Sequence, residues 1–230
     1  VTNDERQELN NGVAQLGLQA RAEQLDSLLR FLDLLEETNR SFNLTRIPRA
    51  DFVKLHLLDS LAALAALPSD SGLSIIDIGT GAGFPGVPLA ALRPDTRMTL
   101  LDSTGKKVRF AAEAAASCGL ANVSGLHARA EKIAHDPQHR ERYDVVTSRA
   151  VAPYPALIEW MLPLVKPGGV AIALKGSGYE QEMEGSERLL RALGGGEPRI
   201  LTVRIPGSEI ERHIISIPKV ARTERKLPRA

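Results

Sequence analysis

A chain of 230 residues, 43% apolar and 25% charged, is long enough for a full hydrophobic core and too apolar for a disordered segment. Its 29 basic and 28 acidic residues leave a net charge of +1, which excludes a protein held to nucleic acid by bulk charge alone. The longest uncharged stretch, residues 78–92, is broken by four glycines and two prolines, so nothing approaches the roughly 20 apolar residues of a membrane span.

Leu25, Leu28, Leu29, Leu32 and Leu35 repeat at helical spacing, and Phe52, Leu55, Ala62 and Ala65 resume it after Ile47-Pro48. Residues 1–67 are therefore expected to form helices packed on the remainder of the chain. From Leu73 onward the period alternates. Strands are predicted at 74–78, 97–102, 123–128, 143–148 and 170–175, and helices at 85–92, 105–117, 155–165 and 180–193. This βαβ succession implies a parallel sheet covered on both faces, over a domain of residues 68–218. Two last strands, 199–205 and 213–218, are joined by the short turn Pro206-Gly207-Ser208, which leaves no room for a crossover, so that pair must be antiparallel. Residues 219–230 hold five basic groups and one acid, whereas residues 1–218 sum to −3. Such a tail is either a solvated end or a phosphate-contacting arm, and the first is the commoner case. A polar N-terminus unlike a secretory signal and the lone Cys118, expected in the core, point to a cytoplasmic protein.

The densest chemical signal is Asp77-Ile78-Gly79-Thr80-Gly81-Ala82-Gly83-Phe84-Pro85-Gly86. Glycines between a strand and a helix let bare backbone approach a ligand. Read literally, Gly81 to Gly86 also fits the dinucleotide fingerprint, with Asp102 placed for a ribose, so a dinucleotide-dependent oxidoreductase is one reading. Asp77, two residues before the first glycine, and the antiparallel final pair favour S-adenosylmethionine instead, with Asp77 reaching the methionine end.

The run from Asp77 to Ala90, Leu100-Leu101-Asp102-Ser103 with Lys106 to Phe110, Ser148-Arg149-Ala150-Val151-Ala152, Leu174-Lys175-Gly176 and Glu211-Arg212-His213 together resemble the RsmG (GidB) family. Asn43-Leu44-Thr45 and residues 54–60 extend the resemblance upstream. It implies a class I, Rossmann-like methyltransferase fold: a mostly parallel seven-stranded sheet with an antiparallel last strand, behind N-terminal helices. It also implies S-adenosylmethionine as methyl donor, and guanine-N7 of 16S ribosomal RNA, free or in the small ribosomal subunit, as acceptor. The cofactor contacts the resemblance implies are Gly79 and Phe84, then Asp102, Ser103 and Thr104, then Ala130 and Glu131, and Arg149; the glycine loop itself adds Gly81 and Gly83 as cofactor-binding candidates. Gly105 departs from the bulkier or basic residue expected before Lys106.

The chemistry agrees with that implication. Ring-carbon methylation needs a cysteine nucleophile, and Cys118 lies far from the fourth strand; exocyclic-amine methylation goes with an Asn-Pro-Pro-Tyr-like motif, and Ser148 to Tyr154 contains no amide. Guanine-N7 bears a lone pair and no proton, so displacement at a sulfonium methyl needs no base and rests on positioning. Arg149, after the fourth strand, is the candidate catalytic residue: its donors suit guanine O6, although a salt bridge to Asp102 or Glu131 would serve equally well to order the pocket. Arg46, Lys106, Lys107, Arg109, Lys175 and Arg212, with Arg49 and Lys54, are candidate RNA contacts. The five histidines show no paired ligand spacing outside His135 and His139, so no metal is expected, and the sequence sets no oligomeric state. A non-catalytic RNA-binding assembly factor of this fold is the remaining alternative.

Overall fold

The computed structural model describes residues 2–229. Helix α1 (Asn3–Gln15) starts at a capping box in which Thr2 and Glu5 exchange bonds, and α2 (Ala22–Asn39) buries Leu25, Leu28, Leu29, Phe31, Leu32 and Leu35 on one face. The expected second helical stretch is not one regular helix. A 3-10 turn, Arg49–Asp51, leads into a π-helical turn, Val53–Leu58, one α turn, α3 (Asp59–Leu61), and a further 3-10 turn, Ala62–Ala66. These widened and tightened turns carry His56 and Asp59 toward the C-terminal end of the fourth strand.

The sheet comprises β1 (Ser74–Ile78), β2 (Arg97–Asp102), β3 (Val123–His127), β4 (Tyr143–Arg149), β5 (Val165–Lys175), β6 (Arg199–Arg204) and β7 (Glu211–Pro218) in the order β3-β2-β1-β4-β5-β7-β6. The first five are parallel, and β7 runs antiparallel to both β5 and β6. Because β1 has β2 on one side and β4 on the other, the chain reverses its winding there and leaves a crevice at the strands' C-terminal ends. Helices α4 (Gly86–Leu92), α5 (Gly105–Ser117), α6 (Ala130–Ile133), α7 (Tyr154–Met161), α8 (Tyr179–Met183) and α9 (Glu187–Ala192) complete the fold. The single helix expected over 180–193 is two, because Gly185 between them takes φ +72°, a left-handed conformation that ends a helix. β5 begins five residues earlier than expected, at Val165 opposite Tyr143, with a register shift before Val145.

Residues of α1, α2 and the irregular turns share one buried cluster with Ile75, Leu100, Val145 and Ile214. The N-terminal helices are thus one layer of the core. The basic C-terminal segment differs from the solvated end expected of it. Lys219 is 1% exposed and its Nζ donates to Leu162 O and Leu193 O, each at 2.8 Å, and to Thr223 Oγ1. Burial pulls its pKa down to about 8 against the opposing pull of Glu141. Leu227 is buried, and Arg229 pairs with Glu159. An apolar side chain and a string of carbonyl acceptors hold the segment down despite its charge.

Candidate active site

Two adjoining cavities open along the C-terminal ends of β1, β2 and β4. One, of about 320 Å³, is walled by Ile78, Leu101, Ala128, Ala130, Glu131 and Trp160. The other, of about 350 Å³, is walled by Leu44, His56, Thr80, Phe84, Lys107 and Arg149. Gly79, Asp102, Ser103 and Val151 line both and form the ridge between them.

The glycine loop is built by backbone conformation. Gly79, Gly81 and Gly83 have φ of +66°, +57° and +101°, a region that side chains disfavour. A Cβ on Gly79 would lie 2.5 Å from Val151, and one on Gly83 would lie 2.8 Å from Val87 and 3.0 Å from Phe31. Asp102, at the end of β2, accepts from Gly81 N at 2.9 Å on one oxygen and from Thr104 N at 2.8 Å on the other. Each oxygen retains acceptor capacity beyond that bond, and Asp102 lines both cavities, so it has room to accept from a vicinal diol. Ser103 and Thr104 are exposed beside it. Gly105 also has a local reason: a Cβ there would meet the His127 ring at 3.1 Å.

Asp77 does not line the cavities where it was expected to meet the methionine end. It is fully buried and accepts from Gly86 N at 2.9 Å and from Thr147 Oγ1 at 3.1 Å. Burial pushes its pKa up to about 6, partly offset by hydrogen bonds from Thr80, Gly86 and Thr147. Its part is to tie the start of α4 under the glycine loop.

Phe84 is 4% exposed, edge-on to Phe31 and stacked on His56 with centroids 4.3 Å apart. The Arg149 guanidinium lies 5.4 Å over the same Phe84 ring. Its ion-pair partner is neither Asp102 nor Glu131: Arg149 Nη1 donates to Asp59 Oδ2 at 2.7 Å and to Leu55 O at 2.9 Å. Arg212 Nε donates to the other Asp59 oxygen at 2.6 Å, so this half-buried arginine is committed in part to Asp59 rather than standing free for RNA. Lys175 is 8% exposed, 2.9 Å from Ala152 O and 2.5 Å from Glu182, which likewise removes it from an RNA track. Arg49 is engaged by Glu5, Asp33 and Glu36, and Lys54 by Asp51. Arg46, Lys106 and Arg109 are exposed, Lys107 lines the second cavity, and Lys106 Nζ sits 5.7 Å over Phe42.

His56 and Asp59 lie outside the residues singled out as site candidates. The only signal for them was their presence in the resembling run 54–60, since a buried polar pair on an apolar helix face reads as ordinary core. Among the described residues no group of three or more His, Cys, Asp or Glu could hold a metal ion, and no helix is long and apolar enough to cross a membrane.

The strand order, the antiparallel β7 and the ridge of Gly79 and Asp102 between two cavities define the class I S-adenosylmethionine-dependent methyltransferase fold and depart from the all-parallel dinucleotide fold. Solved structures agree on the fold. A methyltransferase from Aquifex aeolicus matches with TM-score 0.51 at 20% identity, over 71% of this chain and 92% of that one. An O-methyltransferase from Bacillus cereus matches with TM-score 0.55 at 19% identity, over 82% and 90%. At the level of sequence, residues 24–215 match the family described as rRNA small subunit methyltransferase G, GidB, and the chain belongs to that family. It is 40% identical over 225 residues to ribosomal RNA small subunit methyltransferase G of Acetivibrio thermocellus, covering 97% of this chain and 92% of the relative. The identity to the protein of the same name in Trichormus variabilis is 44% over 220 residues, covering 92% and 86%.

Proposed function

We propose that this chain transfers a methyl group from S-adenosylmethionine to guanine-N7 in 16S ribosomal RNA, acting in the cytoplasm on the RNA or on the small ribosomal subunit. The observation that carries the reading is the pair of cavities meeting at Gly79 and Asp102, one with a partly apolar wall that includes Ile78, Leu101, Ala130 and Trp160, the other holding Arg149. The first suits an adenosine with its ribose on Asp102; the second suits a polar methionine end and an incoming base. When bound, the cofactor supplies an electrophilic methyl on a sulfonium.

The chain's own residues then do three things. Gly79, Gly81 and Gly83 keep the floor free of side chains, Asp102 fixes the sugar, and Arg149 offers donors to an acceptor oxygen. Methyl transfer to N7 releases no proton, so the step needs no general base: His56, which lines the second cavity, is only weakly basic, its pKa brought down to about 3 by burial and by Arg149. Holding the nitrogen against the methyl group supplies about 7–11 kcal/mol when the alignment is right. Lys107, which lines the second cavity, and the exposed Lys106, Arg109 and Arg46 suit RNA phosphates.

The deciding experiment is mapping of N7-methylguanine in 16S ribosomal RNA from cells with and without the gene, paired with label transfer by the purified chain. Binding of RNA without transfer would leave only a non-catalytic assembly factor. Neutralising Lys106, Lys107 and Arg109 together should flatten the dependence of RNA affinity on salt by about one logarithmic unit for each phosphate no longer neutralised.

A further inference from the structure

Arg149 faces the second cavity through attachments to the N-terminal layer. Both Nη1 hydrogens are taken inside the protein, by Leu55 O and Asp59 Oδ2, and Nη2 gives one to His56 Nδ1 at 3.4 Å. A guanidinium carries five N–H donors, so Nε–H and the second Nη2 hydrogen remain for the cavity that Arg149 lines. The acceptors are themselves fixed. Since an arginine can only donate, His56 Nδ1 is the accepting nitrogen, and its proton sits on Nε2, 2.9 Å from Thr45 Oγ1. The Asp59 side chain is 4% exposed and shares its second oxygen with Arg212, so one carboxylate on α3 orders arginines from the ends of β4 and β7.

We propose that Asp59 is a positioning residue, which holds the Arg149 guanidinium over the Phe84 ring so that its two unpaired donors meet an oxygen acceptor of the bound reactants, the methionine carboxylate or guanine O6. N7 itself must keep its lone pair for the methyl group, so O6 is the acceptor available on that edge of the base. Adenine presents an amino group at the equivalent place and would set donor against donor. The N-terminal layer is then part of the reaction site, and its removal would disarm Arg149 even with the methyltransferase sheet intact. The inference rests on the proposed methyl transfer to guanine.

The test is a double-mutant cycle on the full chain: Asp59→Asn, Arg149→Ala and both together. Cofactor affinity is read by calorimetry, and single-turnover methyl transfer on small subunits from cells lacking the gene. Asparagine removes the charge and sets its one oxygen and its amide donor against two arginines, Arg149 and Arg212, so the anchor of Arg149 is weakened whichever way the amide turns. Asp59→Asn should cost about 100-fold, in transfer rate at saturating cofactor if the acceptor is O6, or in cofactor affinity if it is the carboxylate. The same change in the Arg149→Ala background should cost that quantity nothing further. Equal losses in both backgrounds would overturn the proposal.

Should Asp59→Asn fail to fold, His56 decides the matter. His56→Asn puts an acceptor oxygen near the place of Nδ1 and should keep most of what His56→Leu loses; equal loss in both would again overturn it. An unmodified chain that transfers no methyl would refute the proposed guanine methylation, and would take this inference with it only if the cofactor-affinity cycle were additive as well.

Discussion

His56 and Asp77 are two buried groups whose proton affinities move in opposite directions, and together they set how the protein meets acid. The folded pKa of His56, about 3, lies below its ordinary 6.5, so between those values the unfolded chain binds the extra proton and stability falls as pH falls. For Asp77 the folded pKa, about 6, lies above its ordinary 3.8, so in that window the folded chain binds the proton and stability rises as pH falls. The two effects oppose each other over most of the range from pH 6 to pH 4. Asp77→Asn is therefore expected to steepen the loss of melting temperature on acidification, and His56→Asn to flatten it. Thermal melts of the three proteins between pH 7 and pH 3.5 check both signs, and parallel curves would show that neither group titrates as described. Asp102 makes a different residue-scale prediction. Asp102→Ala removes the acceptor proposed for two ribose hydroxyls, and calorimetry should then show S-adenosylmethionine binding weakened by about 1.5–3 kcal/mol for each charge-assisted bond.

At the scale of elements, the glycine loop separates two kinds of constraint. Gly79 and Gly81 both take positive φ, but a methyl on Gly79 would strike Val151, whereas one on Gly81 would find only Gly79 O at 4.0 Å. Gly81→Ala should therefore lose only the backbone penalty, about 1–2 kcal/mol, while Gly79→Ala should lose more, because it also displaces the turn after β4. Denaturant unfolding distinguishes them. The parallel strands, the loop and the antiparallel finish were legible in sequence because each has a local cause: β-branched runs, a glycine pattern, a turn too short for a crossover. Asp102, Ala130 and Glu131 could be placed near one cavity for the same reason, each falling at or just beyond a strand end. What lay outside that reading is non-local. Arg149 pairs with Asp59 across 90 residues of chain, and Arg212 meets Asp59 across 153. Asp77 stands where a ligand contact was expected, yet the loop closes over it, since its nearest donor is the loop's own Gly86. Charge alone likewise could not tell Lys106, which is exposed, from Lys175, which is buried against Ala152 O.

Across the whole molecule, the C-terminal segment joins parts that the sheet leaves separate. Arg140 gives four hydrogen bonds to carbonyls: Ala134 and Leu227 through Nη1, each at 2.8 Å, and Thr223 and Glu224 through Nη2. Thr223 N is taken by Glu141, and Arg229 closes on Glu159 of α7. Ala134 is the C-cap of α6, whose residues Ala130 and Glu131 wall the first cavity, and α7 supplies Trp160 to the same wall. The segment thus braces the wall of the first cavity from behind, the side proposed for adenosine. Removing residues 219–230 would expose Leu227's site, orphan the carbonyls that Lys219 satisfies and free α6 from its clamp. The expected loss is at least about 3 kcal/mol of unfolding free energy. Cofactor affinity should weaken with it, whereas the salt dependence of RNA binding should lose no more than the exposed Arg222, Arg225, Lys226 and Arg229 provide. Arg140→Ala in the full chain, which keeps every basic residue of the tail, should reproduce the weaker cofactor binding with the salt dependence intact. A truncated protein that melts and binds S-adenosylmethionine like the full chain, but binds RNA with a much shallower salt dependence, would show the segment to be an RNA arm after all.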